Sequence, residues 1–202
     1  MNTNDNIIEI HHLKKYYSKN RILNIQEFYF KTGVSYLLIG ENGSGKSTLI
    51  KTILGLVRIS QGNIIKNIQI IGYVPEMFPK VSFISVYDFL YISLLDKKRS
   101  HDISMYCDIF KLDINKYVTK LSKGNLQKLI IIQSFINNPQ FIILDEPFNG
   151  LDDSIRKKFI KVINDKRKKG TSFLITTHYP KYYDKVYDVI LTINNGEISY
   201  EK

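Results

Sequence analysis

The run Gly40-Glu41-Asn42-Gly43-Ser44-Gly45-Lys46-Ser47-Thr48 has the residue types and spacing of a phosphate-binding loop, G-x-x-x-x-G-K-[ST]. Gly40, Gly43 and Gly45 let the backbone curl until its N–H groups face one concave nest. A helix starting at the same place adds the positive end of its dipole. Lys46 can then reach β- and γ-phosphates as a point charge, and the Ser47 hydroxyl can hold Mg²⁺. The chemistry this implies is binding of a nucleoside triphosphate.

Other polar residues stand where they can join that site. The run Phe141-Ile142-Ile143-Leu144-Asp145-Glu146-Pro147 is apolar until it meets two acids. A strand apolar on both faces belongs in the middle of a parallel sheet, and such sheets bind ligands at the carboxyl ends of their strands. Asp145 is therefore expected beside the phosphate loop, holding Mg²⁺ through water, with Glu146 polarising an attacking water. Residues 172–176 form a second strand of this kind, which ends at Thr177-His178 and brings His178 to the same sheet edge. Glu76 sits between Pro75 and Pro79, in a loop just beyond a strand end, positioned to reach a ligand. Tyr16 and Tyr17 precede the phosphate loop by some two dozen residues, and a tyrosine ring is a flat face on which a base can stack. In Leu121-Ser122-Lys123-Gly124-Asn125 a Ser and a Gly open a helix. That is either a plain helix cap or a second anion-binding terminus.

These residues need elements to position them. Residues 34–39 read as the strand before the phosphate loop, and residues 49–54 as the helix after it, ending near Gly55. Residues 7–13 and 25–30 alternate as strands around a turn at Lys19 and Asn20. Residues 62–65 and 68–74 follow as strands. Residues 82–118 change character: 85–92 and 103–112 have helical spacing with no strand between them. This reads as a small helical insert whose aromatics, Phe83, Tyr87, Phe89 and Tyr91, are expected in the core. Helices are predicted from Leu126 to about Ile136 and from Asp153 to Lys169. The second is amphipathic, and its many lysines and arginines read as a solvated face rather than a nucleic-acid stripe. Residues 186–193 and 197–200 form a hairpin around Asn195-Gly196.

Composition bounds the answer. The 202 residues suffice for one domain or two small ones, and 44% hydrophobic with 24% charged residues fits a soluble folded protein. No apolar run approaches the ~18–20 residues of a membrane span. The polar start, Met1 to Asn6, lacks the apolar core of a signal peptide. The single cysteine, Cys107, cannot form an internal disulfide, which suits a reducing cytosol. The net charge of +10 is spread along the chain and reads as a lysine-rich surface; nucleic acid is not expected as a partner.

Taken together, from about residue 7 to 200, the chain resembles an ATP-binding-cassette (ABC) ATPase domain. The Leu121–Asn125 segment resembles the family signature, usually Leu-Ser-Gly-Gly-Gln, and stands about twenty residues before the acidic strand as the family requires. Asp145-Glu146 resembles the Walker B pair, residues 149–152 the D-loop, His178 the switch histidine and Tyr16 the base-stacking aromatic.

The resemblance implies a P-loop NTPase fold of α/β class: a mainly parallel core sheet, an N-terminal antiparallel β part and the helical insert. It makes one cassette of residues 1–202, with the core at about 1–81 and 119–202 and the insert at about 82–118. ATP and Mg²⁺ are the implied ligands. Tyr16, Gly40, Asn42, Gly43, Ser44, Gly45, Lys46, Ser47 and Thr48 would bind ATP. Ser47, Asp145 and Glu76 would face the metal, and Glu146 and His178 would be catalytic.

A head-to-tail homodimer or pseudo-dimer is implied, each ATP lying between the Lys46 loop of one copy and Ser122, Lys123, Gly124 and Asn125 of the other, with Asp152 in the D-loop. In family transporters the insert and the Glu76 loop receive a helix from a membrane subunit. An integral-membrane permease and a peripheral place on the cytoplasmic face of the cell membrane are therefore expected.

Three departures stand out: Lys123 for the usual Gly, Asn125 for the usual Gln, and Glu76 in the loop that usually carries Gln. Leu-Ser-Lys-Gly signatures with a Glu in that loop resemble small bacterial exporter-type systems. The chain stops shortly after the last hairpin, so no regulatory tail is expected. The alternative is a soluble ABC ATPase acting on nucleic acid or the ribosome. Such proteins usually carry two cassettes or long coiled-coil insertions, whereas one cassette and no heptad run appear here. A non-hydrolysing regulator is disfavoured by the presence of both Glu146 and His178.

Overall fold

The structure is a computed structural model that describes residues 5–79, 83–178 and 180–201. The expected boundary at 81/82 and the polar start at residues 1–4 lie outside the described residues.

Alternating apolar residues pair β1 (Asn6–Tyr17) with β2 (Asn20–Lys31) in antiparallel fashion. Both strands run further than the alternation predicts. Backbone pairing continues past the last core residue to Tyr17 opposite Asn20, because exposed lysine and tyrosine positions cost a two-stranded ribbon nothing in burial. From Gly33, the chain enters β3 (Ser35–Ile39), the phosphate loop and α1 (Lys46–Leu54). The next strand, β4 (Gln61–Lys66), joins the other side of β1 and completes a three-stranded sheet.

The second sheet holds β3 with β5 (Ile71–Val74), β6 (Phe141–Asp145), β7 (Ser172–Thr176), β8 (Val189–Asn194) and β9 (Glu197–Tyr200). Its order is β5-β6-β7-β3-β8-β9, parallel except for the β8–β9 hairpin. Every residue of β6 and β7 is buried, as a strand covered on both faces requires. Side chains alternate across β6. Phe141 and Ile143 pack toward the N-terminal sheet and α1, while Ile142 and Leu144 pack toward the helices.

Those helices are α2 (Val86–Ser93), α3 (His101–Phe110), α4 (Lys123–Phe135) and α5 (Asp153–Arg167). Phe159 meets Phe110 and Phe135 edge-on at 6.1 and 5.9 Å, tying the insert to the main core. Tyr87 and Phe89 pack against that core. Phe83 does not: it is 83% exposed, because it precedes the helix cap Ser85 and rides on no helix face. Tyr91 is also surface-lying, stacked on Tyr87 at 5.8 Å. The expectation of four core aromatics is corrected to two.

The two edges of the parallel sheet are tied differently. At the edge where its parallel strands begin, Arg167 donates to Ser35 Oγ (2.9 Å), the Lys185 carbonyl (3.0 Å), Asn164 Oδ1 (3.3 Å) and the Asp188 carboxylate. Asp188 also accepts from the Ser35 N–H at 2.8 Å. At the opposite edge, the Asn195-Gly196 turn has two positive φ angles, +47° and +78°, the hairpin geometry that the sequence predicts. The Gly196 N–H donates to the Ser44 carbonyl (3.2 Å), and its own carbonyl accepts from the Asn24 N–H (2.9 Å). A Cβ on Gly196 would lie 2.1 Å from the Ile22 carbonyl oxygen. This turn therefore clasps the phosphate loop to β2.

Candidate active site

The phosphate loop leaves β3 and enters α1 through Gly43 and Gly45, at φ +83° and +112°, angles that side-chain-bearing residues rarely adopt. No side chain caps α1, so its first N–H groups stay available for an anion. Lys46 Nζ curls back onto the carbonyls of Gly40 (2.6 Å) and Glu41 (3.0 Å). Ser44 Oγ is buried without a hydrogen-bond partner.

A cavity of about 330 Å³ opens in front of this loop. Asn42, Gly43, Gly45, Lys46, Ser47 and Thr48 form one wall, and Glu76, Asp145, Glu146 and His178 the other. Residues expected from four separate segments thus meet at one sheet edge. Gly40 and Ser44 belong to the loop but are not part of the lining.

One expectation is corrected. Tyr16 does not line the cavity; Tyr17 does, together with Ile22. Adjacent strand residues point to opposite faces, and a register shift between Lys15 and Tyr16 decides which face each takes. Tyr16 is held by its N–H to Ser60 Oγ at 3.1 Å, while the Tyr17 ring, 47% exposed, stands at the mouth of the cavity. Spacing to the phosphate loop selects the pair but cannot show the bulge.

Ser122, Lys123, Gly124, Asn125 and Asp152 are not brought to this cavity. Ser122 caps α4, accepting from the Asn125 N–H at 3.3 Å. Asp152 caps α5, accepting from the Ile155 N–H at 3.0 Å. A Cβ on Gly124 would sit 2.4 Å from the Gly150 carbonyl oxygen, so the start of α4 and the turn before α5 touch backbone to backbone.

The family model described as "ABC transporter" matches residues 23–149, more than half of the chain. The chain belongs to the ABC transporter family. It is an ATP-binding subunit, an ATPase. It is 33% identical to the lantibiotic transport ATP-binding protein SrtF of Streptococcus pyogenes, an alignment covering 97% of this chain and 90% of that one. It is also 33% identical to the zinc import ATP-binding protein ZnuC of Rickettsia prowazekii, over 81% and 72% of the two chains. A solved ATP-binding subunit of an ABC transporter superposes with a TM-score of 0.87 at 25% identity, covering 97% of this cassette and 90% of that chain. A dimeric ATP-binding cassette in a post-hydrolysis state, bound to ADP and Pi, shares the fold with a TM-score of 0.83 at 21% identity, over 96% and 98%. Among the described residues of this cassette, no helix is long and apolar enough to cross a membrane. The soluble, nucleic-acid-directed alternative is not favoured.

In the cassette, β7 orients the two acids at the end of β6. Thr176 Oγ1 donates to Asp145 Oδ1 at 2.6 Å and accepts from the Glu146 N–H at 3.2 Å. Thr176 is a positioning residue that the sequence reading missed; its only signal is its place at the end of the strand leading to His178. Glu146 adopts φ +48°, an uncommon backbone state for a residue with a side chain. Burial pushes the Asp145 carboxyl above its usual range. The Thr176 hydrogen bond opposes this, the Glu76 charge adds to it, and Lys46 lowers it. Burial likewise raises Glu146, against the His178 backbone N–H and ring, with Asp145 and Glu76 adding to the rise. A carboxylate raised in this way is a stronger base. Glu146 Oε1 has no hydrogen bond; His178 Nε2 stands 3.6 Å away, beyond hydrogen-bonding reach.

Proposed function

We propose that this ABC ATPase works as one of two cassettes, paired head to tail, that drive a separate integral-membrane permease from its cytoplasmic face. One observation carries the pairing. A single chain gathers Lys46, Asp145, Glu146 and His178 around one cavity, yet leaves exposed Ser122 and Lys123 and the capped start of α4 elsewhere. Ser122, Lys123, Gly124 and Asn125 complete a site only if they close on the triphosphate of a second copy, with Asp152 holding the turn beside them.

Within one cassette the geometry supports the following roles. Lys46 exchanges its two carbonyl partners for β- and γ-phosphate oxygens, and the loop N–H groups donate to the same anion. Tyr17 takes the stacking place expected of Tyr16. Ser47, Asp145 and Glu76 form an oxygen-rich wall that suits Mg²⁺, and the buried Asp145, repelled by the exposed Glu76, gives a cation something to neutralise. Bound there, Mg²⁺ supplies positive charge against the phosphate oxygens. Glu146 takes the proton of the attacking water, and His178 faces the same side of the cavity.

We assign the described residues to one cassette in which α2 and α3 form the insert. Met77, Phe83, Ile92 and Leu95 are 84%, 83%, 70% and 69% exposed. These apolar side chains on the Glu76 loop and the insert suit a helix of the membrane subunit. The Leu-Ser-Lys-Gly signature and Glu76 support a place among small exporter-type systems.

The test is Glu146→Gln, which keeps the shape but cannot accept a proton. Turnover should fall ~10²–10⁴-fold while ATP binding survives. Light scattering with Mg-ATP should then show a doubled mass. A variant that stays monomeric at every concentration and still hydrolyses ATP overturns both the base and the pairing.

A further inference from the structure

Glu146 lines a second cavity, of about 360 Å³, on the side of α5. Phe148, Asn149, Arg156, Thr177 and Tyr182 complete most of its wall. Among the described residues, four buried side-chain polar atoms have no hydrogen-bond partner. One is Ser44 Oγ in the phosphate loop; the others are Glu146 Oε1, Arg156 Nε and the Tyr183 hydroxyl. Two of these three belong to residues of the second cavity's wall and the third lies behind that wall. Glu146 and Arg156 line it, and the fully buried Tyr183 ring stacks beneath the wall residue Phe148 at 4.6 Å. The Tyr183 hydroxyl is held well above its ordinary range, first by burial, then by the Glu146 charge, with Arg156 opposing.

Leaving a buried polar group unpaired costs about 1–3 kcal/mol, so two on one cavity wall and a third stacked behind it call for a shared partner. A polar cavity with two to four hydrogen-bonding groups on its walls takes up water, and water bridges groups too far apart to meet directly. The site also has something to position. The Glu146 backbone is clamped to Thr176, but among the described residues Oε1 has no hydrogen-bond partner, and His178 Nε2 is too far to hold it. Arg156 itself is rigid: its guanidinium lies 5.7 Å from the Phe148 ring and 5.4 Å from the Tyr182 ring, with one nitrogen 3.3 Å from Asp153 Oδ1.

We propose that Tyr183 is a positioning residue for Glu146, its hydroxyl and Nε of Arg156 holding the free carboxylate oxygen through water taken up in the second cavity. The carboxylate is gripped from behind and the attacking water is met from the front. The proposal rests on Glu146 being the base. Misplacing a reacting group by about 1 Å can cost 10²-fold in rate, and a carboxylate with one oxygen unheld turns about its last torsion.

Tyr183→Phe removes the hydroxyl and keeps the ring stacked. The expected result is a kcat drop of about tenfold with an unchanged KM for ATP and a Tm equal to or above wild type. A merely structural tyrosine would move Tm and leave kcat alone. Should Tyr183→Phe fold poorly, Arg156→Met and Arg156→Lys supply the same reading. Both keep KM, and Met lowers kcat more than Lys, which retains a donor. Adding Tyr183→Phe to Glu146→Gln should cost nothing further, since the group it positions is gone. Wild-type kcat in folded Tyr183→Phe or Arg156→Met, alongside an inactive Glu146→Gln, overturns this inference alone. An active Glu146→Gln removes the base on which it rests.

Discussion

Where the parallel strands begin, Arg167 spreads its donors over Ser35, Asn164, Lys185 and Asp188, and the Gly33 N–H reaches Ser172 Oγ at 2.7 Å. Where the same strands end, Glu146 Oε1 and Ser44 Oγ have no hydrogen-bond partner among the described residues, α1 starts without a side-chain cap, and two buried acids are pushed toward their neutral forms. One sheet thus has a polar edge whose groups satisfy one another and a polar edge that, among the described residues, satisfies only some of its groups. The first stabilises the fold. The second costs stability, as is usual where strain and unmet valence collect at functional sites, and in the proposed function a bound triphosphate and Mg²⁺ would meet its open N–H groups and its acids.

Substitutions at the two edges should therefore fail in different ways. The largest effect is expected for Lys46→Ala. It removes the cation on the phosphate-loop wall of the cavity, so most ATP affinity and all turnover should disappear with little change in Tm. A folded variant with unchanged affinity and rate in an ATP titration would erase the functional edge altogether.

Arg167→Met should do the reverse. Losing a charge-assisted network of this kind costs about 1.5–3 kcal/mol, read as a Tm drop of roughly 3–12 °C for a chain of this size. ATP affinity and kcat measured below the transition should hold. If the rate falls as steeply as the stability, the two edges are not separable.

Glu76→Gln gives the smallest and most diagnostic change. At ~6 Å and an effective dielectric of ~20, a carboxylate repels each phosphate charge by roughly 3 kcal/mol before screening. If Glu76 faces the metal, the amide should improve metal-free ATP binding by about tenfold after screening and shrink the gain on adding Mg²⁺. Superimposable curves for the two proteins place Glu76 outside the metal site.

What was legible in the sequence was whatever depends on local pattern. The glycine spacing at residues 40–45 announces the loop, and the unbroken apolar runs of β6 and β7 announce strands buried on both faces. Asp145, Glu146 and His178 follow because they end those strands. What was not legible depends on register or on distant contact. The choice between Tyr16 and Tyr17 turns on a bulge at Lys15, and no periodicity shows a bulge. Phe83 looks like a helix-face residue until its place before the Ser85 cap is known. Tyr183 looks like one aromatic of a surface turn. Its orphaned hydroxyl exists only because α5 and the strand end at Glu146 close over it.

The clasp at Gly196 has a consequence in time. Ser44 and the Gly196 N–H that binds its carbonyl are about 150 residues apart, and Gly40 lies against Ile193, whose carbonyl would stand 2.6 Å from an added Cβ. During synthesis the phosphate loop leaves the ribosome early, yet the hairpin that braces it emerges only after the insert and the acidic strand have been made. Contacts this remote in sequence are closed late in folding. A nascent chain would therefore hold its signature segment and both acids before it holds a finished nucleotide pocket.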